Sequence, residues 1–322
     1  MRGSKGYRRT CCWPPPGRRT CRRRSSPPWV TATACRAGPR TGSRRFHVKQ
    51  ALAALALSWA ATVHAGGEPV RLPGPDVELS GRLYQPAGKG PFPAIVMLHG
   101  CSGMWRKDGE PTASYAFWAE HFRDRGYVAL LLDSFGPRGE KEICTQAHRR
   151  VSPATDRPRD AHAALAWLAA RPGVDPRRID LIGWSNGGSA VLHTVKADSP
   201  GWQEAGPRFR AAVAFYPGCA DIARAPYRPT VPLLIQAGGA DDWTPARHCE
   251  AVAAAAPAGS IEIDVYPGAH HSFDRVDGRV RERPEVRNPN RPGGRGATVG
   301  PHPEAREKAI ARATAWLEAR GR

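Results

Sequence analysis

Ser185 stands in the stretch Leu181-Ile-Gly-Trp-Ser-Asn-Gly-Gly-Ser-Ala190, where an apolar run ends and a run of helical period begins. A chain turning sharply from strand to helix takes up strained backbone angles, and the positions beside the turn must be tiny, as Gly183 and Gly187 are. Such a turn lifts the serine hydroxyl above the sheet edge and sets it at a helix N-terminus, where N–H groups favour negative charge. A serine here could merely cap the helix. The G-x-S-x-G spacing between an apolar run and an amphipathic one points instead to a nucleophile. A hydroxyl is a poor nucleophile at neutral pH, so it needs a base, and the base needs a carboxylate to fix its tautomer. Gly239-Ala-Asp-Asp-Trp-Thr-Pro245 follows one apolar run and Ala269-His-His-Ser-Phe273 follows the next. Either Asp241 or Asp242 could be the acid, with Asp242 the better placed to cap a helix starting near Pro245. Either His270 or His271 could be the base, and the chain order serine, acid, histidine is the one used by sites built on such an elbow.

Acyl transfer at that serine also requires two N–H donors for the oxyanion. The residue after the nucleophile, Asn186, supplies one. The turn His99-Gly-Cys-Ser-Gly103, which follows another apolar run, offers the second at Cys101.

The elements that must bring these residues together are legible as alternation. Residues 94–99, 127–134, 179–184, 211–217, 231–238 and 261–267 are almost continuously apolar, as strands buried on both faces of a parallel sheet are. Helical periods fill the gaps at 115–125, 156–170, 185–196 and 245–256, with a closing helix at 304–320. On the second of these Ala161, Ala164, Leu165, Leu168 and Ala169 form one stripe. The pattern predicts an α/β fold, a mostly parallel doubly wound sheet of about eight strands flanked by helices, with an antiparallel edge hairpin around 76–86. In such a sheet the loops beyond the strands' carboxyl ends converge. Residues 281–300, rich in Arg, Pro and Gly, read as a loop too polar to pack.

The net charge of +19 invites a nucleic-acid reading, but residues 1–50 hold 14 basic side chains and no acid. The remainder carries 34 bases against 29 acids, too small an excess to favour nucleic acid as a partner. Residues 1–47 show no apolar period and are expected to be a non-native or disordered basic extension. Lys49, then ALAALALSWAATVHA ending in Val63-x-Ala65, reads as a signal peptide over 48–65, too short to span a bilayer. Residues 66–322 then form one periplasmic or secreted domain, with no stable membrane insertion after cleavage. Its four cysteines would meet an oxidising compartment.

The motifs LHGCSG, GWSNGG, GGADDWTP and YPGAHHSF resemble the dienelactone hydrolase family of the α/β-hydrolase superfamily, over roughly residues 70–320. The resemblance implies Ser185 as nucleophile, Asp241 as acid and His271 as base, with no cofactor or metal. Ser185 and Gly100 stand where members that open dienelactone carry cysteine and glutamate. This implies a serine-bearing exported member acting on a small ester or lactone through an acyl-enzyme. The alternatives are a secreted carboxylesterase or peptidase working on larger acylated substrates, or a binding protein on the same scaffold. Arg138, after the second apolar run, either meets a substrate carboxylate or braces its own loop. Trp105, Trp184 and Trp243 lie next to the oxyanion turn, the nucleophile and the acid, and either wall a pocket or pack in the core. Because the four cysteines follow strands near one rim, the expected pairings are Cys101–Cys144 and Cys219–Cys249. The oligomeric state is not fixed by the sequence.

Overall fold

The computed structural model of the chain describes residues 66–320. The predicted basic extension and signal peptide lie outside the described residues. Eight strands form one sheet: β1 (Glu68–Pro73), β2 (Glu78–Tyr84), β3 (Phe92–Leu98), β4 (Val128–Asp133), β5 (Val174–Trp184), β6 (Ala212–Phe215), β7 (Leu233–Gly238) and β8 (Ile261–Tyr266). Five helices flank it: α1 (Ala113–Arg123), α2 (Asp156–Ala169), α3 (Asn186–Thr194), α4 (Ala246–Ala255) and α5 (Pro303–Ala319). The strand order is β1-β2-β4-β3-β5-β6-β7-β8. All pairs from β4 to β8 are parallel, and β2 is antiparallel to both β1 and β4.

The apolar runs are continuous because both faces of the sheet are covered. In β4, Val128, Leu130 and Leu132 face one core with Ala161, Ala164, Leu165 and Leu168 of α2, while Ala129 and Leu131 face the other with Trp118 of α1 and Trp316 of α5. Strand β3 divides in the same way, Val96 and Leu98 to one side and Ile95 and Met97 to the other. The chain runs from β3 to β4 on one side of β3, then crosses through α2 to β5 on the other side. The turns after β3 and β5 therefore part at the topological switch point, where an open α/β sheet leaves a crevice.

Two expectations need correction. The region 76–86 holds one strand, β2, whose partner β1 lies earlier and forms the sheet's edge. Residues 281–300 do pack. Val286 and Ala297 are fully buried and Val299 nearly so, in a small core with Cys101, Phe135, Ile143, Cys144, Val151 and Trp243. A two-stranded ribbon, β9 (Arg281–Glu282) and β10 (Thr298–Val299), closes the segment. The segment's polarity is absorbed by a few well-placed acceptors. Asp242 takes hydrogen bonds from Thr298 N at 3.0 Å, from Thr298 Oγ1 at 3.0 Å and from Arg291. The Asn288 amide donates to the Asp242 and Gly296 carbonyls at 2.9 and 2.7 Å.

Candidate active site

Ser185 joins β5 to α3 with φ 53° and ψ −115°, a region a non-glycine residue occupies only under constraint. The constraint is close packing. A Cβ on Gly183 would lie 2.4 Å from the Gly187 carbonyl oxygen, and one on Gly187 would lie 2.0 Å from that of Leu98. Only hydrogen fits at either position, so the two glycines let helix, β5 and β3 meet beneath the serine. Its own N–H is held by the Phe215 carbonyl at 2.9 Å.

The loops after β7 and β8 deliver the other two groups. His271 Nε2 lies 2.8 Å from Ser185 Oγ, and His271 Nδ1 lies 2.7 Å from Asp241 Oδ2. The carboxylate can only accept, so Nδ1 carries the proton and Nε2 presents its lone pair to the hydroxyl. Asp241 is fixed in turn. Its Oδ1 accepts from the N–H groups of Trp243 and Thr244 at 2.8 and 2.9 Å, and its Oδ2 lies 2.9 Å from Thr244 Oγ1. Capping of this turn therefore falls to Asp241, whereas Asp242, expected to cap, anchors the 281–300 segment instead. His270 points elsewhere, its Nδ1 3.0 Å from the Ala240 carbonyl. The His271 ring is buried between Tyr216 and Trp243, at centroid distances of 4.7 and 4.8 Å. Gly300 N donates to the His271 carbonyl at 3.0 Å, which ties the histidine turn to the 281–300 segment.

Cys101 and Asn186 border the same spot, and among the described residues neither N–H has an acceptor. Gly100 N–H is already spent on the Tyr115 hydroxyl at 2.7 Å, whereas Cys101, which borders both clefts at Ser185, keeps its N–H available. Burial pushes Tyr115 up to about 12, which keeps it a neutral phenol. Burial also lowers His99, which stays neutral. Its Nε2 lies 3.4 Å from Ser134 N, so Nδ1 donates to the Gly100 carbonyl at 2.8 Å and holds the turn from behind.

Cys101 is bonded to Cys144 and Cys219 to Cys249. The first pair fastens the oxyanion turn to the segment under the 281–300 loop, and the second fastens the loop after β6 to α4.

Ser185 opens on two clefts of about 110 and 220 Å³, with Cys101 and Trp243 bordering both. His271, Trp184, Tyr115 and three arginines (Arg275, Arg281 and Arg283) line the smaller, and Asn186, Arg149, Arg287 and His248 line the larger. A cleft of about 330 Å³ at the opposite ends of the strands, between Glu68 and Val174, holds none of these groups. Of the two readings open for Arg138 and for Trp105, the structure favours the loop brace and the packing role over the pocket, since neither lines a Ser185 cleft. Arg138 braces its loop through Asp160 at 2.8 and 2.9 Å and through Asp76, and Trp105 donates to Asp133 at 2.6 Å.

The sequence assigns no role to Thr244, Tyr115 or Asp274, and it marks His99 only as the first residue of a turn. Asp274 is fully buried and accepts from Tyr216 Oη at 2.6 Å and from the indoles of Trp118 and Trp184 at 2.8 Å each, while burial raises its carboxyl above the ordinary value. Its place three residues after His271 was the one available signal. Among the described residues no cluster of three or more His, Cys, Asp or Glu could hold a metal ion. None of the described helices is long and apolar enough to cross a membrane.

A strained serine at the switch point of a doubly wound sheet, with acid and histidine delivered by the next loops, defines the α/β-hydrolase fold. A sequence profile of the dienelactone hydrolase family matches residues 79–320, and the chain belongs to that family. It is 32% identical over 131 residues to the quorum-quenching protein AidA of Acinetobacter baumannii, covering 38% of each chain. It is 33% identical over 116 residues to the thiohydrolase aneE of Aspergillus aculeatus, covering 36% of this chain and 33% of that one. These matches thus span well under half of either relative. In fold it is similar to Thermogutta terrifontis esterase 2 phosphonylated by cyclosarin, with a TM-score of 0.55 and 23% identity over 79% of this chain and 94% of the other.

Proposed function

We propose that the protein is a serine hydrolase that cleaves a carboxylic ester or lactone of a small molecule. The observation that carries this reading is the unbroken relay from Asp241 through His271 to Ser185 Oγ, with links of 2.7 and 2.8 Å. Ser185 Oγ attacks the carbonyl carbon while His271 Nε2 takes its proton, and the anionic Asp241 stabilises the imidazolium. The carbonyl oxygen, now an oxyanion, lies against the N–H groups of Cys101 and Asn186. The imidazolium returns the proton to the departing alkoxide, leaving an acyl group on Ser185, and water activated by His271 then releases the acid. His271 lines the smaller cleft and not the larger, which favours the smaller for the departing alcohol and the larger for the acyl group.

Export is part of the reading. Disulfides persist in oxidising compartments, and two pairs staple the loops around this site. N-terminal sequencing of the exported protein should begin at Gly66, and any earlier residue would contradict the assigned leader. The activity is tested by Ser185→Ala, which should abolish turnover of p-nitrophenyl acetate without lowering the melting temperature. Retained turnover would overturn the assignment.

A further inference from the structure

Behind the elbow lies a cation that the relay does not use. Arg157, the second residue of α2, is wholly buried, and its Nη1 donates to the side-chain oxygen of Asn186 at 2.7 Å. Asn186 is the residue whose backbone N–H is assigned to the oxyanion. Among the described residues the other guanidinium nitrogens, Nε and Nη2, have no partner, nor does Asn186 Nδ2. Buried guanidinium groups are ordinarily neutralised by a carboxylate at contact distance. Here the nearby acids are engaged elsewhere: Asp160 with Arg138, and Asp133 with Trp105 and the N–H groups of Phe135 and Gly136. Among the described residues no acid lies within ion-pair distance of Arg157. The guanidinium rests instead over the face of Phe135, 5.1 Å from its centroid.

We propose that Arg157 is a positioning residue for the oxyanion site. It anchors the first residue of α3 through Asn186 Oδ1, and it leaves its own charge unpaired behind the N–H that must meet the developing negative charge. Charge fixed in a water-poor interior acts more strongly than charge in solvent and needs no reorganisation as the oxyanion forms. Asp160 and Asp133 still act on Arg157 from beyond contact, and an ion pair at contact distance with either would weaken that field further, which gives the diversion of both acids a purpose.

This inference rests on the proposed role of the Asn186 N–H, so the test separates the two. Wild type and Ser185→Ala are assayed first with p-nitrophenyl acetate. No turnover by wild type, or turnover by Ser185→Ala, would reject the hydrolase reading itself. Arg157→Met and Arg157→Lys are then compared for kcat, KM and inhibition by phenylboronic acid, whose adduct on serine is tetrahedral and anionic. Arg157→Met should lower kcat by about tenfold or more and raise the boronate Ki by a matching factor, with KM nearly unchanged. Arg157→Lys, which keeps the charge, should recover more than half of both losses on a logarithmic scale. A folded Arg157→Met enzyme that keeps its kcat, or loses kcat without losing boronate affinity, overturns the proposal, as does Arg157→Lys performing no better than Arg157→Met. Should Arg157→Met fail to fold, Asn186→Ala decides. It keeps the backbone N–H and loses the anchor, so kcat and boronate affinity must fall together by about threefold or more, and no fall overturns the proposal.

Discussion

Two adjacent aspartates divide the work of the loop after β7, and Asp242→Ala tests that division. Its carboxylate accepts two hydrogen bonds from Thr298 and one from Arg291. A hydrogen bond to a charged acceptor contributes about 1.5–3 kcal/mol when buried. The Asp242 side chain is 30% exposed and Arg291 28%, so the arginine adds about 0–1 kcal/mol and each of the two Thr298 bonds falls below that range, to about 1 kcal/mol. The loss should be about 2–3 kcal/mol, felt first by the 281–300 segment. That corresponds to roughly 30- to 150-fold faster amide exchange at Thr298, or roughly 4–12 °C in melting temperature if the segment unfolds with the domain. The same bonds set a pH dependence. Burial works to raise the Asp242 carboxyl, but Thr298 and Arg291 outweigh it and hold the group below its ordinary value. A group lowered in the folded state stabilises above its unfolded value and loses that contribution as pH falls toward the folded one. The segment should therefore loosen in acid, and Asp242→Ala should lack this acid-dependent step. Catalysis should survive in large part, because the relay runs through Asp241. An Asp242→Ala enzyme that melts like wild type, or one that is folded yet loses turnover about 10⁴-fold, would refute the division.

Asp241→Asn should do the opposite, lowering kcat by about 10⁴ with little effect on melting, because the amide favours the wrong tautomer of His271. Gly187→Ala places a methyl 2.0 Å from the Leu98 carbonyl oxygen, so it should cost at least about 3 kcal/mol or fail to give soluble protein, as read by urea unfolding. Removing the Cys101–Cys144 bond in a Cys101→Ser/Cys144→Ser double variant releases a loop with a sequence separation of 43, worth up to about 4 kcal/mol in chain entropy. Urea unfolding should show that loss, and a variant as stable as wild type would contradict it.

Much of this arrangement was legible because it rests on repeated local signals. Strands such as β4 are apolar at every position up to their final residue, and the α2 stripe repeats at helical spacing, so the doubly wound sheet could be inferred without contacts. The elbow was legible through Gly183 and Gly187, whose smallness the turn requires. What escaped is what depends on single residues meeting across the chain. The 281–300 segment packs through Val286, Ala297 and Val299, isolated among arginines and prolines, with polar groups satisfied by Asp242 some fifty residues earlier. No period announces such a segment. Local chemistry favoured Asp242 as the helix cap, and only the position of His271 shows why Asp241 accepts the Thr244 N–H instead. Arg138 lay after a strand end, as a substrate-binding arginine would, but Asp160 and Asp76 claim it.

The central claim is that Ser185 becomes acylated at this lip of the sheet. Reaction with a fluorophosphonate probe, followed by digestion and peptide mass spectrometry, reads it directly. The probe should add once per chain, on Ser185, and His271→Ala should suppress the labelling. Modification at another side chain, or ester turnover that persists after Ser185 is fully blocked, would contradict the account.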